Sequence, residues 1–545
     1  MSQEMSVFSK TIMLQKYSHN GTETWTDIAN RVGKTVLKSV GAKKDLIDQV
    51  VQYIDERKFI PGGRYLYATG RPFHQVNNCL LLRAEDSREG WAELMHKCAM
   101  GLMTGAGIGV DYSSVRAEGK AIRKTGGTST GPLALAQAIN ELGRSVMQGG
   151  SRRSALWAGL KWSHPDSMKF ISMKNWIPEV RALKLKDFNF PATMDGTNIS
   201  IQLDDEFFEA YNEEKHSLHN QAYSVYWAVV ERMLKTAEPG FSIDLGKNSK
   251  ETLRNACTEL VSADDSDVCN LGSINLSRIE SLEEMQAVVE TATAFLLSGT
   301  VYSDVPYAKV DMVRSKNRRL GLGLMGVHEW LLIHGHKYGA CSELDKYLEI
   351  YATSGKYAAH YSNEWDLSKP VKTRAIAPTG TIGILAESTT GLEPIFCSAF
   401  KRRYAKGSVW HYQYVLDPTA KRLIEQKGID PEQIEDAYVL AEDVERRIAF
   451  QAHVQKYVDH AISSTINLPE WGSELNNHDT VHTFGITLMK YLPQLRGITV
   501  YPDGSRGGQP LSPVKWQTAV KHVGETFVEQ QDICELSGKG GTCGA

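Results

Sequence analysis

Apolar residues first recur at helical spacing at Leu46, Ile47, Val50, Val51 and Ile54, predicting one amphipathic helix in a small helical region over residues 1–75. Phe59-Ile60-Pro61-Gly62-Gly63 reads as the turn that ends it. Asn77-Asn78-Cys79-Leu80-Leu81-Leu82 then reads as a short apolar strand with a thiol near its start. From about 198 to 237 the pattern is helical, with Asp204 and Asp205 at an N-cap. Phe207, Phe208 and Tyr211 form a stripe of the kind used for core or subunit contact. Further helices are predicted over 283–298 and 345–363, and Asp430-Pro431 supplies the N-cap and N1 residues of a long helical region. Residues 463–469 and 497–501 read as strands. Helices alternating with short apolar runs imply a largely parallel α/β sheet or barrel.

Composition narrows the class. The 545 residues allow several average domains or one large α/β unit with additions, and 42% hydrophobic with 23% charged residues is ordinary for a soluble globule. No apolar run would span a bilayer and residues 1–16 lack a signal-peptide core, so a cytoplasmic protein without membrane contact is expected. A formal net charge of −3 gives no global pull toward nucleic acid, so phosphate binding must be local. The eight cysteines, at 79, 98, 257, 269, 341, 397, 534 and 543, show no CxxC pair. Redox or nucleophilic thiols fit better than staples, and no metal site is expected. Two motifs mislead. Gly321-Leu322-Gly323-Leu324-Met325-Gly326 satisfies GxGxxG but lacks a convincing βαβ context, and is read as a strand and turn in a barrel wall. His328-Glu329…His334 has its second histidine six residues on, not four, and fails as a zinc motif.

The chemistry concentrates in residues 255–276. Asn255, Cys257 and Glu259 are an amide, a thiol and a carboxylate at alternate positions, which an extended segment would turn to one side. Cys269 follows after an acidic turn at Asp264, Asp265 and Asp267. Taken alone, Cys257 reads equally well as a small buried hydrophobe. The flanking amide and acid favour work at a polar carbon skeleton. The pattern Asn-x-Cys-x-Glu followed by CNLGSINL resembles the catalytic finger loop of ribonucleotide reductase catalytic chains. That family often has Pro and Gly where this chain has Ala256 and Thr258, a departure that leaves the reactive triplet intact.

The resemblance implies a ten-stranded α/β barrel over residues 76–515, made of two antiparallel halves of five parallel strands, with the finger loop inside. A C-terminal helix and flexible redox tail would follow over 516–545. It implies conversion of ribonucleoside di- or triphosphates to 2′-deoxyribonucleotides. Cys257 would act as a thiyl radical, Glu259 as general base and Asn255 as the group orienting the ribose hydroxyls. Cys79 and Cys269 would be the reducible pair. Cys534 and Cys543 in the tail, further apart than in most relatives, would pass electrons from thioredoxin or glutaredoxin. Asn78 and the loop Pro378-Thr379-Gly380-Thr381-Ile382 would hold substrate. By its residues alone, that loop is a phosphate cradle or an ordinary capped helix start. Asp86, Arg116, Gln148 and Arg152 would serve a dNTP or ATP effector, the last two at the Gly149-Gly150 loop. The short N-terminus leaves no room for the family's ATP-cone, and a homodimer is implied. Chains that use a separate radical subunit carry tandem tyrosines near the last barrel strand, where this chain has Thr499-Val500-Tyr501-Pro502 with a single one. That resembles the adenosylcobalamin-dependent class. A large subunit needing a metal-bearing radical partner is the alternative, and a non-radical thiol–disulfide oxidoreductase a remote one.

Overall fold

The computed structural model describes residues 5–148, 153–187, 189–246, 249–406, 409–505 and 511–527. Arg152, Cys534 and Cys543 lie outside these residues. Nine strands define the core: β1 Cys79–Arg83, β2 Gly107–Asp111, β3 Leu156–Lys161, β4 Thr197–Leu203, β5 Gly240–Ile243, β6 Asp267–Asn275, β7 Leu320–Met325, β8 Thr465–Leu468 and β9 Gly497–Pro502. The first five pair in parallel in chain order. β6 and β7 are parallel to each other, as are β8 and β9. Residues 374–376 join these two pairs, with parallel bridges from Leu322 to Arg374 and from Ile376 to Ile462. The halves meet at two antiparallel seams, β1 with β6 and β5 with β9. The pairing thus closes into a ring of ten segments, five parallel strands against five, as the resemblance implied.

Physical reasons for this arrangement are visible in the strands. β2, β6 and β7 are buried along their whole length, as parallel strands covered on both faces must be. Their burial does not alternate along the strand, because neither face meets water. Helices pack outside. Residues 5–75 contribute Val7–Lys16, Trp25–Lys38, Lys44–Asp55 and Gly63–Ala68. The second of these starts with a capping box between Thr24 and Asp27.

Several local expectations need correction. Phe59–Pro61 is a strand pairing with the far half of β6, and its proline sits at the strand end, where a missing N–H is tolerated. Residues 197–203 form β4, and helix starts only at Asp205, capped by Asp204 as expected. The helix over 345–363 is two, Ser342–Ala352 and Ser354–Glu364, interrupted at Thr353. Asp430 does cap, but only a 3₁₀ turn, Pro431–Gln433, before Ala437–Ala441 and Val444–Gln455. An antiparallel hairpin, Ala399–Lys406 with Val409–Leu416, was not foreseen; Leu511–Pro513 and Thr526–Phe527 add to its edges. The GxGxxG run is β7 in the barrel wall. His328 is buried, its Nδ1 accepting from Ile395 N at 2.9 Å. Among the described residues no helix is long and apolar enough to cross a membrane.

Candidate active site

Leu253–Arg254 and Val261–Ser262 pair antiparallel into a small hairpin. Its tip is a tight turn in which Thr258 N donates to Asn255 O at 3.1 Å. Asn255, Cys257 and Glu259 therefore share a region through a turn rather than through extended alternation. The hairpin crosses the barrel wall at two glycines. A Cβ on Gly109 would lie 1.8 Å from the Arg254 carbonyl oxygen, and one on Gly107 would lie 3.2 Å from the Ala256 Cβ. Alternate glycines in a buried strand mark a face where another backbone passes. That signal is present in the sequence, in the Gly-Ile-Gly of residues 107–109.

The hairpin is braced on each side. Arg254, buried, donates to Ile243 O at 2.8 Å and Leu253 O at 3.1 Å. Ser262 Oγ donates to Asp267 at 2.6 Å, Asp267 pairs with Arg319 at 2.7 Å, and Arg319 pairs with Glu251 at 3.0 Å. Opposite, Ala461 N donates to Glu259 O at 2.8 Å and Val261 N to His460 Nδ1 at 3.2 Å. Burial and the nearby Arg319 and Lys372 hold His460 neutral. Sequence reasoning missed Arg254, Arg319 and His460, which become neighbours of the site only once the barrel closes.

Cys79 and Cys269 face each other across the β1–β6 seam. Directly opposed antiparallel residues have Cα atoms about 4.5–5.5 Å apart, inside the range a disulfide spans. Both are free thiols in the structure and nearly inaccessible, at 5% and 1%. Asn255 Nδ2 donates to Cys79 Sγ at 3.0 Å, while its Oδ1 accepts from Leu260 N at 3.0 Å. Burial pushes both thiols well up; for Cys79 the charges of Glu259 and Cys257 add to it. Glu259 is 1% exposed and its Oε2 has no hydrogen-bond partner. Burial raises its carboxyl from the ordinary 4.5 to about 7, against a lowering by the Asn255 amide. Cys257 combines an accessible side chain with a thiol pushed up first by burial and then by Glu259. The Cys257 side chain is thus open to a ligand, while Asn255, Ala256 and Glu259 around it are buried.

The remaining candidates fall in three places. Ala377, just before the Pro378 loop, packs in one apolar cluster with Cys79, Cys269, Leu253 and Leu260. In that loop Thr379 adopts φ 53° and its Oγ1 accepts from Gly391 N at 2.7 Å. Helix begins at Gly380, so Gly380, Thr381 and Ile382 form its first turn. Asn78 N donates to Cys269 O at 3.2 Å, and its buried Oδ1 has no partner. Elsewhere, Asp86 and Arg116 are partners of each other, with Nε to carboxylate distances of 2.8 and 3.0 Å. Gln148 donates to Gly105 O at 2.9 Å.

The model of the ribonucleotide reductase barrel domain matches residues 77–236, 219–366 and 371–492. The chain belongs to the ribonucleotide reductase family. It is 26% identical over 539 residues to a vitamin B12-dependent ribonucleoside-diphosphate reductase of Thermoplasma acidophilum, covering 87% of this chain and 67% of the relative. A protein of the same description from Mycobacterium tuberculosis (strain CDC 1551 / Oshkosh) is 26% identical, covering 87% and 74%. Among solved structures, the Actinobacillus ureae class Id ribonucleotide reductase alpha subunit superposes with a TM-score of 0.72 at 15% identity, covering 92% of this chain and 97% of that one. That likeness concerns the fold. In this ribonucleotide reductase, the finger hairpin thus brings a protonated thiol and a near-neutral carboxyl beside two opposed thiols.

Proposed function

We propose that this chain reduces ribonucleoside di- or triphosphates to 2′-deoxyribonucleotides by radical chemistry at Cys257. The observation that carries this is the seam where Cys79 opposes Cys269, with Asn255 bonded to Cys79 and Glu259, its Oε2 unpartnered, beside them. Cys257, as a thiyl radical, takes the hydrogen from ribose C3′. Glu259 accepts the 3′-hydroxyl proton and Asn255 orients the hydroxyls. Water leaves from C2′. Cys79 and Cys269 supply two electrons and two protons and close a disulfide, and the 3′-hydrogen returns from Cys257. The sum is one ribonucleotide and two thiols giving one deoxyribonucleotide, one disulfide and water. The raised thiols suit this, since a hydrogen atom is given by S–H and not by a thiolate.

Adenosylcobalamin, when bound, would supply the one-electron chemistry that removes the hydrogen atom from Cys257. Two adjoining cavities of about 310 and 520 Å³ lie by β8 and β9, sharing Leu468, Pro469 and Leu475. Asn467, Tyr501 and Asp503 give one of them polar groups at the ends of those strands. Tyr501 has Val500 and Pro502 as neighbours, which leaves no tandem tyrosine for a relay from a separate radical subunit. Turnover by the purified chain with adenosylcobalamin and dithiothreitol alone tests the assignment. A strict need for a metal-bearing partner subunit would overturn it in favour of the large-subunit alternative.

The same reading places substrate phosphates on the 378–382 loop and Asn78. It places an effector dNTP or ATP at Asp86, Arg116, Gln148 and Arg152. Effector binding would then exchange the Asp86–Arg116 ion pair for contacts to ribose and phosphate. Cys534 and Cys543 would relay electrons from thioredoxin or glutaredoxin, in a cytoplasmic homodimer.

A further inference from the structure

The helix Gly380–Ala386, which continues the substrate loop, ends in a buried knot of charge that the chemistry above does not use. A helix end leaves its last carbonyls without intrahelical partners. Donors from distant segments reach three carbonyls at this end, of which Ile384 O also accepts from Glu387 N at 3.2 Å. Ser9 Oγ donates to Ile384 O at 2.7 Å, Arg278 Nη2 to Ala386 O at 3.3 Å, and Arg422 Nη1 to Glu387 O at 2.8 Å. Glu387 itself is left-handed at φ 55°. Its carboxylate accepts from Ser6 N at 2.7 Å and from Arg57 Nη1 at 3.3 Å. The Arg57 and Glu387 side chains are only 3% and 9% exposed. Glu329 completes the knot, pairing with Arg422 and accepting from Ser388 Oγ at 2.6 Å. Burial, then the neighbouring Arg57, brings Arg278 down to about 10.

Three of these donors, Ser6, Ser9 and Arg57, come from the N-terminal helical region. Ser6 also caps the helix Val7–Lys16, its side chain accepting from Ser9 N at 3.2 Å. That helix therefore packs against the helix Gly380–Ala386 that follows the loop, and its own start is tied to the same knot. A left-handed glutamate gains nothing from its backbone conformation, so the position is held by the surrounding bonds.

We propose that the N-terminal helix is a strap: through Ser9, and through Glu387 held by Ser6 and Arg57, it sets the position of the 378–382 loop and thereby the affinity for substrate phosphates. The inference rests on the assignment of that loop to substrate. Ser9, Arg57 and Glu387 are positioning residues that act through the helix Gly380–Ala386. Small displacements of a binding loop are costly because phosphate contacts tolerate little misplacement.

Equilibrium binding of cytidine 5′-diphosphate to the full chain tests this with three variants. Ser9→Ala removes the bond to Ile384 O and should weaken binding about five-fold, the effect of one ordinary hydrogen bond. Ser9→Thr keeps the donor and should restore wild-type affinity, a rescue that a general loss of packing would not give. Thr379→Val alters the loop itself and should weaken binding on its own. Wild-type affinity in Ser9→Ala, or failure of Ser9→Thr to rescue it, overturns the strap. If Thr379→Val still weakens binding in that case, the loop assignment survives and the strap alone fails. If Thr379→Val binds normally, the loop assignment fails and the strap falls with it.

Discussion

Replacing Glu259 by Gln should stabilise the protein at alkaline pH while sharply cutting its activity. The carboxyl is buried, its Oε2 has no partner, and its folded pKa of about 7 stands above the ordinary 4.5. The folded state therefore holds this proton more tightly than the unfolded chain. Stability is lost as pH rises from 4.5 to 7, and the full penalty is present above 7. Integrating over those two values gives a cost of about 0.8 kcal/mol at pH 5 and about 3 kcal/mol at pH 8. Gln carries no such penalty, and any fixed cost of burying its amide cancels between the two pH values. The gap between variant and wild type should grow by about 2.5 kcal/mol from pH 5 to pH 8, or about 2 °C in melting temperature for a chain of this size. Intrinsic-fluorescence melting of both proteins across that range reads it directly. Parallel melting curves at all pH values would refute the burial argument. Turnover should fall by about 10²–10⁴ in the variant, as for loss of a general base, and wild-type turnover should rise with pH through about 7.

Other outcomes follow from the same geometry. Gly109→Ala puts a Cβ onto the Arg254 carbonyl and should unseat the finger, cutting turnover more than 100-fold on the order of a mis-set catalytic group; wild-type turnover would contradict the crossing. Thr258 is a β-branched residue at φ 69°, so Thr258→Gly should raise stability by about 1 kcal/mol with activity retained, and a lower melting temperature would count against strain there. One turnover without reductant should convert Cys79 and Cys269 into a single disulfide, found by peptide mass mapping; a bond from either to Cys98 would contradict the register.

What was legible in the sequence depended on distance along the chain. Asn255, Cys257 and Glu259 lie within five residues, so their association was readable, although their geometry was ascribed to an extended segment instead of a turn. The Cys79–Cys269 pairing came from family resemblance, because nothing local in either segment encodes a register between strands that far apart. β4 was absorbed into a helical pattern although Asn198-Ile199-Ser200-Ile201-Gln202-Leu203 alternates polar and apolar residues, because the capping aspartates that follow drew the boundary early. Pro61-Gly62-Gly63 looked like a turn because its breaker residues outweighed the short apolar run before them. Asp430-Pro431 marked a real start but carried no information on length. Arg254, Arg319 and His460 carry no local signal at all, since their role arises from closure of the barrel. The strap from Ser9 to Ile384 joins positions that no sequence window contains.

Formation of deoxyribonucleotide by the purified chain, compared with its Cys257→Ser variant under identical cofactor and reductant, bears most directly on the central claim. Wild-type enzyme should release deoxyribonucleotide while the serine variant, folded and still binding nucleotide, releases none. Product from the serine variant would show that the sulfur of residue 257 does not carry the reaction.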